Sequence, residues 1–227
     1  MRRLWPLFSA RKRVPAGAEP FEDGVAAYRR GDYAAALKFL RPLAEQGDAL
    51  AQAFLGVMYA DGDGVPRDGG EAVKWYRKAA EQGQADAQNE IGVIFHAGWS
   101  VPQNDAEAVK WFRKAAEQGH GDAQYNLGGM YLKGQGVPQD DAEAVKLYRK
   151  AAEQGDADAQ NKLGVMYHDG VGVPQDIVQA HMWFDLAAAQ GYEKAKQAQD
   201  NAASDMTPDQ IAEAQRMARE WMAQHQR

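Results

Sequence analysis

The sequence predicts an all-α fold, a solenoid of helix-turn-helix repeats, on three observations. First, Gly47, Gly83, Gly119, Gly155 and Gly191 stand 36 residues apart, each preceded by Gln. Second, Val65-Pro66, Val101-Pro102, Val137-Pro138 and Val173-Pro174 keep the same step, so no insertion breaks the register. Third, apolar residues inside each unit recur at helical spacing, as Ala159, Leu163, Met166 and Tyr167 do. A fixed period of this size marks small supersecondary units stacked on their neighbours.

Composition agrees with a packed chain. Of 227 residues 45% are hydrophobic, enough for a continuous core. No apolar run approaches the roughly 18 residues that span a bilayer. There is no cysteine, which excludes disulfides, thiol catalysis and cysteine-based zinc sites. Net charge is −6, divided as +4 over residues 1–20 and −10 over the rest. An acidic body disfavours nucleic acid, whose binding rests on neutralising phosphates.

The elements follow in order. Residues 1–20 hold Leu4, Trp5, Leu7 and Phe8 between Arg2-Arg3 and Arg11-Lys12-Arg13. The apolar stretch is short and contains Pro6, so the segment reads as a disordered tail or targeting remnant. Basic and aromatic residues within 1–13 also suit weak contact with a membrane surface. Repeats occupy 21–206. Phe21 to Arg30 and Asp32 to Gln46 form a truncated first helix pair joined at Gly31. Full repeats follow at 48–83, 84–119, 120–155 and 156–191. In the last of these, Gly170 ends the first helix, Val171-Gly172-Val173-Pro174 turns the chain, and Asp176 caps the second helix. Tyr192 to Asp205 predicts one further helix. Residues 207–227 predict a capping helix opened by Thr207-Pro208-Asp209-Gln210, a capping box with proline at the first helical position. Met182 and Leu186 stand where earlier units have lysine, so that helix should cover them with Ile211, Ala218 and Trp221. Pro42 should kink its helix.

Gly56, Gly92, Gly128 and Gly164 lie inside helices, where glycine costs about 1 kcal/mol relative to alanine. Repeating that cost implies close approach to Trp75/Tyr76, Trp111/Phe112, Leu147/Tyr148 and Trp183/Phe184. Those aromatics then belong to the core.

Motifs for chemistry fail on inspection. Gly62-Asp63-Gly64, Gly134-Gln135-Gly136 and Gly170-Val171-Gly172 follow no strand and precede no P-loop lysine, so they terminate helices. Asp61-Gly62-Asp63-Gly64 resembles the start of a calcium loop, but Pro66 and Ala72 occupy the positions of its central glycine and final glutamate. His96, His120, His168, His181 and His225 form no metal-ligand pair and read as surface or groove residues. His96 and Ser100 lie four apart without a positioned acid. Glu81, Glu117 and Glu153 recur in the repeat, which favours structure over catalysis. Glu71/Lys74 and Glu107/Lys110 are i,i+3 surface pairs. No catalytic residue, cofactor or metal is expected.

The pattern Asp158-Ala159-Gln160, Leu163-Gly164, Tyr167, Gly170, Gly172-Val173, then Ala180, Trp183-Phe184 and Ala187-Ala188, closely resembles the Sel-one-like repeat. That family is a relative of the tetratricopeptide repeat. The resemblance covers four full units and a degenerate one at each side. It implies a right-handed α/α superhelix with a concave face and an adaptor or scaffold role in protein complexes. Trp99-Ser100 departs from the usual x-Gly of the turn and is a candidate contact. Some cysteine-rich relatives are linked to penicillin binding, and this chain has none of their cysteines.

Specificity should reside where the repeat does not dictate the residue. In successive first helices these positions are Ala53/Asn89/Tyr125/Asn161 and Ala60/His96/Leu132/His168, with Phe54/Glu90/Asn126/Lys162 beside them. The resemblance places this stripe in the groove. The expected partner-binding set is Asn89, His96, Tyr125, Asn126, Leu132, Asn161, Lys162 and His168, suited to an extended peptide or a helix. The function expected is a non-enzymatic interaction scaffold with a protein or peptide partner. The alternative is an envelope-located enzyme or inhibitor acting on cell-wall material. Lacking a convincing signal peptide, the chain is expected in the cytoplasm, with periplasm or secretion as the alternative.

Overall fold

The computed structural model describes residues 20–225. The targeting and membrane-surface expectations fall on the N-terminal segment and lie outside the described residues. Among those residues there are twelve helices and no strand: α1 (Pro20–Arg29), α2 (Tyr33–Glu45), α3 (Ala49–Asp61), α4 (Gly69–Glu81), α5 (Ala85–Ala97), α6 (Asp105–Glu117), α7 (Gly121–Lys133), α8 (Asp141–Glu153), α9 (Ala157–Asp169), α10 (Ile177–Ala189), α11 (Glu193–Ser204) and α12 (Pro208–His225). The all-α helical-repeat fold read from the sequence is the fold observed. The chain divides after Gln118 into two compact units, α1–α6 and α7–α12.

Local chemistry sets the helix ends. Asp48, Gln84, His120 and Asp156 each accept the N–H of the residue three ahead, at the starts of α3, α5, α7 and α9. Asp68, Asn104, Asp140 and Asp176 do the same for α4, α6, α8 and α10. Each such cap contributes about 1 kcal/mol. The first helices end at Gly62, Gly98, Gly134 and Gly170, all left-handed. The hairpin then closes on itself. The N–H of Asp68, Asn104, Asp140 and Asp176 returns to the carbonyls of Tyr59, Phe95, Tyr131 and Tyr167.

Within a repeat the mid-helix glycine receives an aromatic ring. A Cβ at Gly56 would lie 2.7 Å from the Tyr76 ring, and one at Gly92 would lie 2.6 Å from Phe112. At Gly164 it would collide with Phe184, while at Gly128 the Tyr148 ring leaves 3.2 Å. The second aromatic of each pair therefore fills the hairpin. The first faces elsewhere: Trp75 is half-buried under Lys78, whose Nζ lies 4.2 Å from its ring centre. Lys114 lies over Trp111 in the same way at 4.3 Å.

Between repeats the join is a buried glutamine. Gln52, Gln88 and Gln160 donate their side-chain amides to the carbonyls of Ala44, Ala80 and Ala152, each eight residues back. Their carbonyl oxygens accept from Gln82, Gln118 and Gln190, each thirty residues ahead, at 2.7–2.9 Å. Gln124 accepts from Gln154 likewise. Carbonyls that a helix C-terminus would leave unpaired are thus satisfied in the interior.

The turn departs from its pattern once, and the departure is compensated. Two turn glycines abut the residue 31 positions earlier, the first of the preceding second helix: Gly64 meets Tyr33, and Gly172 meets the backbone of Asp141. Ser100 takes the same left-handed conformation at φ 61°. Its side chain fits because Gly69 stands opposite, and a Cβ on Gly69 would overlap the Ser100 hydroxyl. The turn that departs from the repeat at Trp99-Ser100 keeps its shape through this exchange of bulk.

The two termini differ from the middle. α2 runs from Tyr33 to Glu45 with Pro42 inside it. At the other end α12 opens with the reciprocal bonds Thr207 N–H to Gln210 Oε1 and Gln210 N–H to Thr207 Oγ1. Its Ala214 and Ala218 pack with Met182, Trp183 and Leu186 of α10, and Trp221 meets Trp183 edge-on at 6.3 Å. One expectation is overturned here. His181 is no surface or groove residue but is 2% exposed. α10 packs against both α11 and α12, so little of it remains outward. The His181 Nδ1 lies 3.2 Å from Asp185, which itself accepts the Gln199 amide at 2.6 Å.

Two predictions follow from the packing. Gly164→Ala should destabilise by about 1–3 kcal/mol because its methyl meets the Phe184 ring. Gly129→Ala, whose Cβ would sit 3.4 Å from the Tyr148 hydroxyl, should stabilise by up to about 1 kcal/mol through helix propensity. Urea unfolding of both variants checks the opposite signs. Gly69→Asp should destabilise by itself and be tolerated together with Ser100→Gly, since the Asp141/Gly172 pair already has that composition. A double-mutant cycle should give a coupling of about 1 kcal/mol or more, and additivity would contradict the compensation.

Candidate first-helix interface

In the second unit the open faces of α7 and α9 carry the candidate groups. Along α9, Asp158, Lys162, Val165 and Asp169 are exposed, with half-buried Asn161 and His168 beside them. The spacing of 4, 3 and 4 residues is one helical stripe. Along α7 the matching positions are Asp122, Tyr125, Asn126, Gly129 and Leu132, of which Asp122 is exposed and the others half-buried. The structure therefore brings six of the eight expected residues onto this unit: Tyr125, Asn126, Leu132, Asn161, Lys162 and His168.

Tyr125 is held in place by packing. Its ring meets Tyr148 edge-on at 5.4 Å, which holds it against α8. Burial, then the charges of Asp158 and Asp156, raise its pKa above the ordinary phenol value. Tyr192, at the start of α11, donates its hydroxyl to Asp158, and that bond with burial behind it pushes its pKa up to about 12. Both phenols stay protonated at neutral pH and present donors beside an acidic rim. Asp156, spent on capping α9, has its carboxyl raised by burial and by repulsion from Asp158 and Asp122. The patch thus offers phenols, carboxylates, two amides and the Lys162 ammonium around an exposed valine. It suits a peptide backbone with basic side chains.

In the first unit the equivalent face is different. Asn89, expected to face a partner, is 5% exposed and lies in the interior. The identical position in α9 holds half-buried Asn161, so the repeat position alone does not decide exposure. His96 keeps its place at the face, with Nδ1 2.7 Å from Asp105. His168, two repeats on, has Nδ1 2.6 Å from Asp169. The two histidines are thus held by different carboxylates. Trp99 is 51% exposed and borders a cleft of 630 Å³ with Arg67, Val73 and Ile94. The second helices carry the expected i,i+3 pairs Glu71/Lys74 and Glu107/Lys110 at 2.6 and 3.0 Å.

Sequence reading missed Asp122, Asp158, Val165 and Tyr192. Val165, 39% exposed, sits at a position occupied by Val57, Val93 and Gly129 and looks like a core residue. Tyr192 had a signal: it replaces the capping residue found at 48, 84, 120 and 156. Among the described residues no group of three or more His, Asp or Glu is placed to hold a metal ion. Nor is any described helix long and apolar enough to cross a membrane.

Comparison with known proteins defines the family. The family profile described as Sel1 repeat matches residues 21–48, 49–84, 85–120, 121–156 and 157–192. A Sel1 repeat protein from Oxalobacter formigenes is 32% identical, with a TM-score of 0.79 over 90% of this chain and 83% of that one. The uropathogenic Escherichia coli protein c5321, a protective antigen with an SLR fold, is 29% identical with a TM-score of 0.60. That alignment covers 91% of this chain and 53% of c5321, so this chain spans about half its length. No curated protein matches the chain. Sel1 repeat proteins generally mediate protein–protein interaction. Five consecutive matched repeats extend from the first helix pair to Tyr192, and the chain belongs to the Sel1 repeat family.

Proposed function

We propose that this protein is a non-enzymatic interaction scaffold that holds an extended segment or helix of a partner protein on the open faces of its first helices. The observation that carries this reading is the patch on α7 and α9. Its tyrosine is anchored by a second ring, its donors are fixed, and its acidic rim is exposed. Repeated positions are committed to packing, so a partner is distinguished by the residues that vary between repeats. Rigid aromatic anchors contribute most to such interfaces. A segment with basic side chains fits Asp122 and Asp158 best.

The test uses a captured partner and its measured Kd. Tyr125→Ala should weaken binding at least about tenfold, or about 1.4 kcal/mol, with Lys162→Ala having a smaller effect. Lys110→Ala and Lys146→Ala lie on exposed faces of second helices and should leave Kd unchanged. If the two lysine variants weaken binding and Tyr125→Ala does not, the partner uses the opposite surface.

A further inference from the structure

The second helices of the first three full repeats carry a lysine in their last turn, and that of the fourth does not. Lys78, Lys114 and Lys150 stand near the ends of α4, α6 and α8, where a cation offsets the negative end of the helix dipole. Lys78 and Lys114 also cover a tryptophan of their own helix. α10 keeps that tryptophan, as buried Trp183, but has Leu186 in place of the lysine and no basic residue in its last turn.

A cleft of about 400 Å³ lies beside this end of α10, between it, the end of α8 and the last turns of α12. Leu186 and Met222 give it apolar lining. Trp221 also lines it, with His225 stacked on the indole at 4.0 Å between ring centres and 11° between planes. The His225 Nδ1–H donates to the Trp221 carbonyl at 2.8 Å, so the neutral ring keeps its acceptor at Nε2. Glu153 contributes an exposed carboxylate, and no ion pair among the described residues engages it. Gln154 and Gln190 border the cleft at the two helix ends but turn their amide donors onto Gln124 and Gln160.

We propose that this cleft receives a lysine side chain of a partner protein. A carboxylate, the negative ends of α8 and α10 and an aromatic wall all attract an ammonium. Leu186 and Met222 suit the methylene shaft that carries it. Lysine is also the cation that this chain itself places over tryptophan, at 4.2 Å on Trp75 and 4.3 Å on Trp111. The fourth repeat retains the ring and lacks the lysine, so the cation comes from outside. None of these residues belongs to the patch on α7 and α9, and the cleft is a second point of contact.

The experiment titrates the full, ¹⁵N-labelled chain with Nα-acetyl-lysine methylamide and follows amide and indole shifts. The norleucine analogue, which has the same shaft without the ammonium, and the arginine analogue are run beside it. The lysine probe should shift the Trp221 indole N–H and the Gly155 and Gln190 amides in a saturable way. It should bind at least about threefold more tightly than the norleucine probe. Glu153→Gln, at an exposed position, should remove that advantage while leaving the thermal melt unchanged. Ala189→Lys, also exposed and bordering the cleft, supplies an internal ammonium and should weaken the lysine probe at least as much. Equal affinity for the lysine and norleucine probes overturns the proposal, as does an unchanged affinity in Glu153→Gln or the absence of any shift at Trp221. Tighter binding of the arginine probe overturns the assignment to lysine. The outcome is independent of Tyr125→Ala, so this inference and the proposed scaffold function can fail separately.

Discussion

Each regular repeat buries one glutamine at the fourth residue of its first helix, and stacking depends on where that side chain reaches. For Gln52, Gln88 and Gln160 the amide closes on a carbonyl eight residues back, in the preceding repeat, and the oxygen accepts from a glutamine thirty residues ahead, at the end of its own repeat. A buried amide left unpaired costs about 1–3 kcal/mol, so both distances must be honoured together. They fix the length of the repeat. An insertion within either helix between the partners would rotate one of them away from the other, in keeping with the unbroken 36-residue ladder. The glycine–aromatic contact then fixes the distance between the two helices of a hairpin, and the caps fix where each helix starts.

With the repeated positions committed to these tasks, the positions that vary are the ones left open to recognition, and the proposed interface lies on them. In the second unit that remainder is a polar, acidic and aromatic face on α7 and α9. In the first, the same positions of α3 hold Ala53, Phe54 and Val57, which are buried. The same repeat positions thus serve packing in one unit and lie open in the other: Phe54 packs on Phe21 and Tyr28, whereas Lys162 is exposed. This is how a helical-repeat fold separates stability from specificity.

Much of this was legible in the sequence because periodic constraints repeat. Helix boundaries, the left-handed glycines and the pairing of Gly56 with Tyr76 could be read from four copies of one pattern. The compensation between Gly69 and Ser100 could also have been read, as a departure at two positions 31 apart. Exposure was harder. Asn89 and Asn161 share residue type and register, yet only Asn161 reaches the surface, because burial depends on what lies over a face. Val165 was hidden by looking like its buried counterpart Val57. His181 was misplaced because the sequence shows α10 to be apolar but not that helices close on both sides of it. Variability marks where a residue is free to change, and the surrounding helices decide whether it faces outward.

The central claim is that the glutamine spacings, rather than the overall length, specify stacking. Removing residues 120–155 deletes one whole period and preserves every eight-back and thirty-ahead spacing that remains. Removing residues 123–152 deletes thirty residues and takes away Gln124 and Ala152, so that Gln154 loses its acceptor and Asp122 stands eight residues before Gln160 in place of Ala152. Circular dichroism with thermal melting of the two chains is the direct measurement. The 36-residue deletion should keep its helical signal and a cooperative melt at a somewhat lower midpoint, while the 30-residue deletion should lose cooperativity. Equal behaviour of the two deletions, or loss of helix in the first, would contradict the account.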